Sequence, residues 1–196
     1  MKRRAVKAAV LVAWLCAAVV VHGAKVKTRA EGDPKFNFRE VKTWGWHSSG
    51  TGEVIMARAS DDDPAPVKKR VDPLIVAAVG RELGARGWVP APPGGATDVT
   101  LHYYLLVTIG HNAQVFGQFL PAVPEWGVPP FNGGTQSLDI ITRGSLVLDI
   151  VSTSLSRVVW RGVAQTDLDE APSDAQREKI INEASSDLIK RIPLKK

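Results

Sequence analysis

Cysteine is nearly absent from this chain. Its single thiol, Cys16, falls inside an apolar run near the N-terminus. The remainder has no disulfide to draw on, so stability must come from a buried core. A body of this length can build one, since it buries roughly 70% of its surface on folding. An excess of one charge is also lacking once the N-terminus is set aside. The chain holds 25 basic and 20 acidic side chains. Four of the bases, Lys2, Arg3, Arg4 and Lys7, lie in residues 1–23, where there is no acid. Residues 24–196 therefore carry 21 bases against 20 acids. Such a balance leaves no polyanion footprint, and nucleic acid is not an expected partner.

Catalytic signatures are missing too. There is no Gly-x-Ser-x-Gly elbow and no phosphate-cradling glycine loop; Gly133-Gly134-Thr135 is a turn signal only. After residue 23 the histidines are His47, His102 and His111, and none pair at metal-ligand spacing. Each reads as a structural histidine. The acidic triplet 61–63 lacks the alternation, central glycine and distal glutamate of a calcium loop. Asp139, Asp149, Asp167 and Asp169 show no spacing that favours a catalytic pair, although two acids could converge in space. The expectation is a non-enzymatic protein with no metal and no cofactor.

What is present begins with an address. The basic start is followed by 14 apolar residues, 8–21, fewer than the ~20 of a spanning helix. Val21-His22-Gly23 then offers a peptidase site. Residues 1–23 read as a cleaved secretory signal peptide, with cleavage near Gly23 and a periplasmic or secreted product. A retained anchor is the alternative. Leu15 before Cys16 fits a lipoprotein cleavage site poorly, so a lipoprotein is not expected. Residues 24–35 are polar and read as a flexible leader, and 36–196 as one domain.

Within that domain Trp44 and Trp46 share one face of a strand. They are either core anchors or an exposed aromatic strip. Residues 47–70 form a long connection, with a short strand at 53–57. Asp72-Pro73 marks a helix start, and an apolar stripe of Leu74, Ile75, Ala78, Val79 and Leu83 carries the helix over 72–86. Gly87 reads as its left-handed terminator. Residues 99–109 alternate over their whole length, with Val99, Leu101, Tyr103, Leu105, Val107 and Ile109 on one face. Residues 145–151 and 157–164 form a hairpin around 153–156, where Asp149 and Arg161 can pair across the strands. Ser173 and Gln176 fit a capping box for a final helix that Pro193 stops.

Residues 110–143 have no period but contain Phe116, Phe119, Leu120, Trp126 and Phe131. Loops of this length are functional or disordered. This one either buries its own aromatics or forms a binding lip, for which Phe116, Phe119, Trp126 and Phe131 are the candidate residues.

Five segments in order resemble one family. Asp33-Pro34, Phe38 and Val41-Lys42-Thr43-Trp44-Gly45-Trp46 resemble the opening of the DUF4136 proteins, a bacterial envelope family of unknown function. Glu82-Leu83-Gly84-Ala85-Arg86-Gly87-Trp88 resembles its helix end, and Asp98-Val99-Thr100-Leu101-His102-Tyr103 its long strand. Gly144-Ser145-Leu146-Val147-Leu148-Asp149-Ile150-Val151 and Val158-Val159-Trp160-Arg161-Gly162-Val163-Ala164 resemble its hairpin. The similarity spans about residues 33–193. Many members are lipoproteins, from which this chain departs, and its turn 152–156 lacks the glycine often found there.

The resemblance implies an α+β envelope domain without transferable catalytic residues. The expected fold is a mostly antiparallel sheet of four to five strands with two helices on one face. The expected role is a non-catalytic envelope accessory protein that binds another envelope component, a protein or a lipid, with peripheral association with the outer membrane as a further option. A carrier of a lipid or small apolar ligand is the alternative.

Overall fold

The structure is a computed structural model and describes residues 26–56, 63–92, 94–107, 144–166 and 173–193. Seven strands and two helices follow in the order β1 (Lys27–Gly32), β2 (Thr43–Trp46), β3 (Gly52–Met56), α1 (Pro64–Ala85), β4 (Val89–Pro90), β5 (Val99–Val107), β6 (Gly144–Ser152), β7 (Arg157–Thr166) and α2 (Asp174–Lys190). The strands form one sheet, ordered β1-β7-β6-β5-β2-β4, with β3 also paired to β5.

The sheet is mixed, and it has more strands than the four to five expected. The half built from β1, β7, β6 and β5 is antiparallel. In the other half β2 and β3 lie end to end along one side of β5, both parallel to it, and β4 is parallel to β2. Parallel neighbours need a crossover of a dozen or more residues. Here the 22-residue α1 carries the chain from β3 back to β5. Alternation along 99–107 reports which face is buried but not which direction a neighbour runs.

α1 begins well before the expected Asp72. Asp63 caps it by accepting a hydrogen bond from the Ala65 backbone N–H at 2.9 Å. Pro64 occupies the first turn, where its missing N–H is harmless. The apolar stripe extends backward through Val71 and Val67, one turn apart. Pro73 thus lies inside the helix, where it removes one backbone hydrogen bond. The helix ends where expected: Gly87 is left-handed at φ +84°, and its N–H donates to the Gly84 carbonyl. Ser173 and Gln176 of α2 form the full capping box.

Residues 24–35 read in sequence as a leader, but Lys27–Gly32 form the edge strand β1. The stretch is polar because its alternate residues stay exposed at the sheet's edge.

Both helices pack on the face that carries Val99, Leu101 and Tyr103 of β5 and Leu146, Leu148 and Ile150 of β6. Trp44 is buried in this core, with the Trp46 ring edge-on at 5.9 Å, so the two tryptophans are core anchors. Trp160 lies 1% exposed beneath α2. Gly162 makes that packing possible. A Cβ there would sit 2.3 Å from the Trp160 ring and 2.9 Å from Leu188 Cδ2. Both neighbours are buried and cannot yield. Gly162→Ala should therefore cost about 1–3 kcal/mol of unfolding free energy, read by urea denaturation. A loss within error of zero would show that the core around Trp160 is slack.

Candidate functional site

The second face of the sheet holds the titratable side chains. Register sets them in a row. His102 of β5 lies opposite Asp149 of β6, Asp149 opposite Arg161 of β7, and Arg161 opposite Glu31 of β1. Two residues along β5 and on the same face, Tyr104 stands opposite Val147. Although polar, this row is largely buried: Asp149 is 0% exposed and His102 1%.

Asp149 and Arg161 form the expected ion pair in two-pronged geometry. Arg161 donates from Nε to Oδ1 and from Nη2 to Oδ2, each at 2.6 Å. Burial pushes the Asp149 carboxyl above its ordinary range, against the pull of the guanidinium. Arg161 is held above its own range, because Asp149 outweighs the burial that would lower it. The pair engages both Asp149 oxygens and two of the guanidinium's five N–H donors.

His102 is placed by the break between β2 and β3. Residues 47–50 form a turn in which the Gly50 N–H donates to the His47 carbonyl at 2.9 Å. The β ladder pauses there and resumes when the Tyr103 N–H donates to the Thr51 carbonyl. The turn presents the Gly50 carbonyl 3.3 Å from His102 Nδ1. Glu53, opposite Tyr104 in β3, brings its carboxylate to 3.8 Å from His102 Nε2. The Tyr104 ring lies 4.8 Å from the His102 ring, and the His47 ring stands edge-on at 6.0 Å. Burial lowers the His102 pKa to about 4; the Gly50 contact opposes this, while the charges of His47 and Lys68 add to it. His102 is therefore neutral at pH 7. Burial also holds His47 below its usual value and raises the Tyr104 phenol well above its own.

On the helix face a second acid is held through one carboxylate oxygen, Oδ1. Asp72 accepts from Tyr103 Oη at 2.7 Å, from Thr51 Oγ1 at 2.5 Å and from Lys68 Nζ at 3.0 Å. Burial pushes its carboxyl up, yet these three bonds prevail and hold it below the ordinary range. Asp98 likewise accepts from the Lys42 and Thr43 backbones, which fastens β2 to the start of β5.

Among the described residues no group of three His, Cys, Asp or Glu side chains could hold a metal ion. Nor is any described helix long and apolar enough to cross a membrane. The candidate binding residues Phe116, Phe119, Trp126 and Phe131 lie outside the described residues, as do His111, Asp139, Asp167 and Asp169. The structure assembles a different group instead: His47, Glu53, His102 and Tyr104. Sequence reading missed its convergence because Glu53 and His102 are 49 positions apart and meet only through parallel pairing.

Two helices on one face of a seven-stranded mixed sheet define a two-layer α+β domain. The chain belongs to the DUF4136 family, a domain of unknown function, whose family model matches residues 28–194. Among curated proteins no relative matches. Solved structures give matches at low identity. A DUF4136 family protein from Bacteroides thetaiotaomicron is 16% identical, with a TM-score of 0.47 over 86% of this chain and 95% of that one. A PDZ domain protein from Parabacteroides distasonis shares the fold at 11% identity and a TM-score of 0.50, over 88% of this chain and 37% of that one. A PelC dodecamer from Paraburkholderia phytofirmans is 13% identical, with a TM-score of 0.38 over 86% and 100%.

Proposed function

We propose that this protein is a non-catalytic accessory of the cell envelope that binds another envelope protein. One observation carries the reading. The perturbed acids of the described residues are tied into the fold: Asp149 by Arg161, Asp72 by Thr51, Tyr103 and Lys68, Asp98 by the Lys42 and Thr43 backbone, and Asp33 by the Lys35 backbone and Arg157. A catalytic acid or base must instead face its substrate with exchange capacity in reserve. The leader-like residues 1–23 support an envelope address.

Binding is assigned to the exposed turn at Ser48 and Ser49 beside Glu53, together with the aromatic segment that carries Trp126. The test is in-cell photo-crosslinking from Ser48 and, separately, from Trp126, followed by mass spectrometry of the adducts. A discrete protein adduct from either position is the expected result. Lipid adducts alone would replace this reading with the carrier. Absence of adducts from both positions would overturn it.

A further inference from the structure

The geometry points to a second copy of this chain as the partner of the β1 edge, joined antiparallel about a two-fold axis at Ala30. Among the described residues β1 pairs with β7 alone, so its other side is an edge of the described sheet. That edge has six residues and contains neither proline nor a bulge, two devices that commonly block pairing.

Hydrogen-bond parity decides which residues a partner could meet. The Asp33 N–H donates to the Val159 carbonyl at 2.8 Å, in line with the register that pairs Glu31 with Arg161 and Arg29 with Val163. Antiparallel pairs alternate between bonded and non-bonded. Lys27, Arg29 and Glu31 therefore turn their backbone groups toward β7. Thr28, Ala30 and Gly32 turn theirs outward.

A two-fold axis in an antiparallel ladder must relate outward residues to outward residues. Every β1 residue meets this condition as a centre, but axes at Lys27, Arg29 or Glu31 set that charged residue against its own symmetry mate, which leaves Thr28, Ala30 and Gly32. An axis at Thr28 would set Lys27 against the partner's Arg29, which is repulsive. An axis at Gly32 would set Glu31 against the partner's Asp33, which is also repulsive. An axis at Ala30 sets Arg29 against the partner's Glu31, twice by symmetry, with Lys27 opposite the partner's Asp33, a carboxylate that Arg157 of its own chain also holds. These are non-bonded positions, where facing side chains come closest and charge matters most. Arg29 and Glu31 are exposed and form no ion pair among the described residues, although Glu31 lies across from Arg161 and its charge acts on it.

The other face agrees. Thr28, Ala30 and Gly32 lie toward the helices, where Arg191 Nε donates to Thr28 Oγ1 at 2.8 Å. A Cβ on Gly32 would meet Trp160 and Pro193. The axis therefore passes between small residues. The interface is isologous and closes as a dimer.

The test is analytical ultracentrifugation of the protein purified after expression of the full-length chain. Wild type is expected to show a concentration-dependent monomer–dimer equilibrium. Arg29→Glu places like charges at both symmetric positions and should weaken the dimer on the order of tenfold. Arg29→Glu with Glu31→Arg restores opposite charges and should restore the dimer. Ala30→Pro deletes an outward N–H and spares the β7 ladder, so it should abolish the dimer. Melting curves verify that each variant is folded. A monomeric wild type across the micromolar range would overturn the proposal. So would a dimer indifferent to Arg29→Glu and Ala30→Pro, or a charge swap that fails to rescue.

Discussion

Asp149→Ala is expected to lower the unfolding free energy by about 3–5 kcal/mol, because it leaves the Arg161 guanidinium buried without its counter-charge. The Asp149 side chain is 0% exposed and that of Arg161 10%, so water can replace little of what is lost. Arg161→Met should cost a similar amount for the mirror reason. The double variant Asp149→Leu with Arg161→Met should recover most of the loss, since well-packed apolar groups often match a buried ion pair. A double-mutant cycle by urea denaturation measures all three. Losses below about 1 kcal/mol for Asp149→Ala would mean that solvent reaches the pair.

Acid should destabilise this protein earlier than its carboxylates require, and His102 is the reason. Its pKa in the fold is about 4 against 6.5 for a free histidine. Below pH 6.5 the unfolded chain takes up this proton and the native state does not, so the stability conferred by neutral His102 is lost as pH falls from 6.5 to 4. The loss should reach about 3 kcal/mol by pH 4. His47, also lowered, acts in the same direction. Asp33, Asp72 and Asp98 are held below 3.8 in the fold, so their share is lost only at more acid pH. Urea midpoints from pH 7 to pH 4 measure the slope. His102→Gln should flatten it while costing some stability at pH 7. An unchanged slope in that variant would assign the acid sensitivity elsewhere.

Local signals made much of the fold legible in the amino-acid order. The hairpin β6–β7, the length of β5, the capping box of α2 and the left-handed Gly87 all depend on residues within a few positions of one another. So does the Asp149–Arg161 pair, which spans one hairpin. Misreadings came where two local rules competed or where the partner was distant. At Asp72-Pro73 the helix-start signature overrode the stripe of Val67 and Val71, which continues two turns earlier. At β1 the alternating charges looked like a solvated leader because an edge strand exposes much of what it carries. The direction of β2 and β3 followed from neither strand, since α1 decides it. For the histidine and tyrosine cluster, alternation could place His102 on the second face but could not show that this face is buried.

The place of β1 also governs when the fold can close. Lys27 pairs with Gln165, 138 positions later. On a chain made from its N-terminus, β1 is the first strand to emerge and waits longest for its neighbour. The β6–β7 hairpin can form as soon as its own residues are made, whereas β1 must close the longest loop of any strand pair among the described residues. Until Arg157–Thr166 appears, β1 has no ladder to join. The first strand made is thus held by partners from the far end of the domain, β7 and α2.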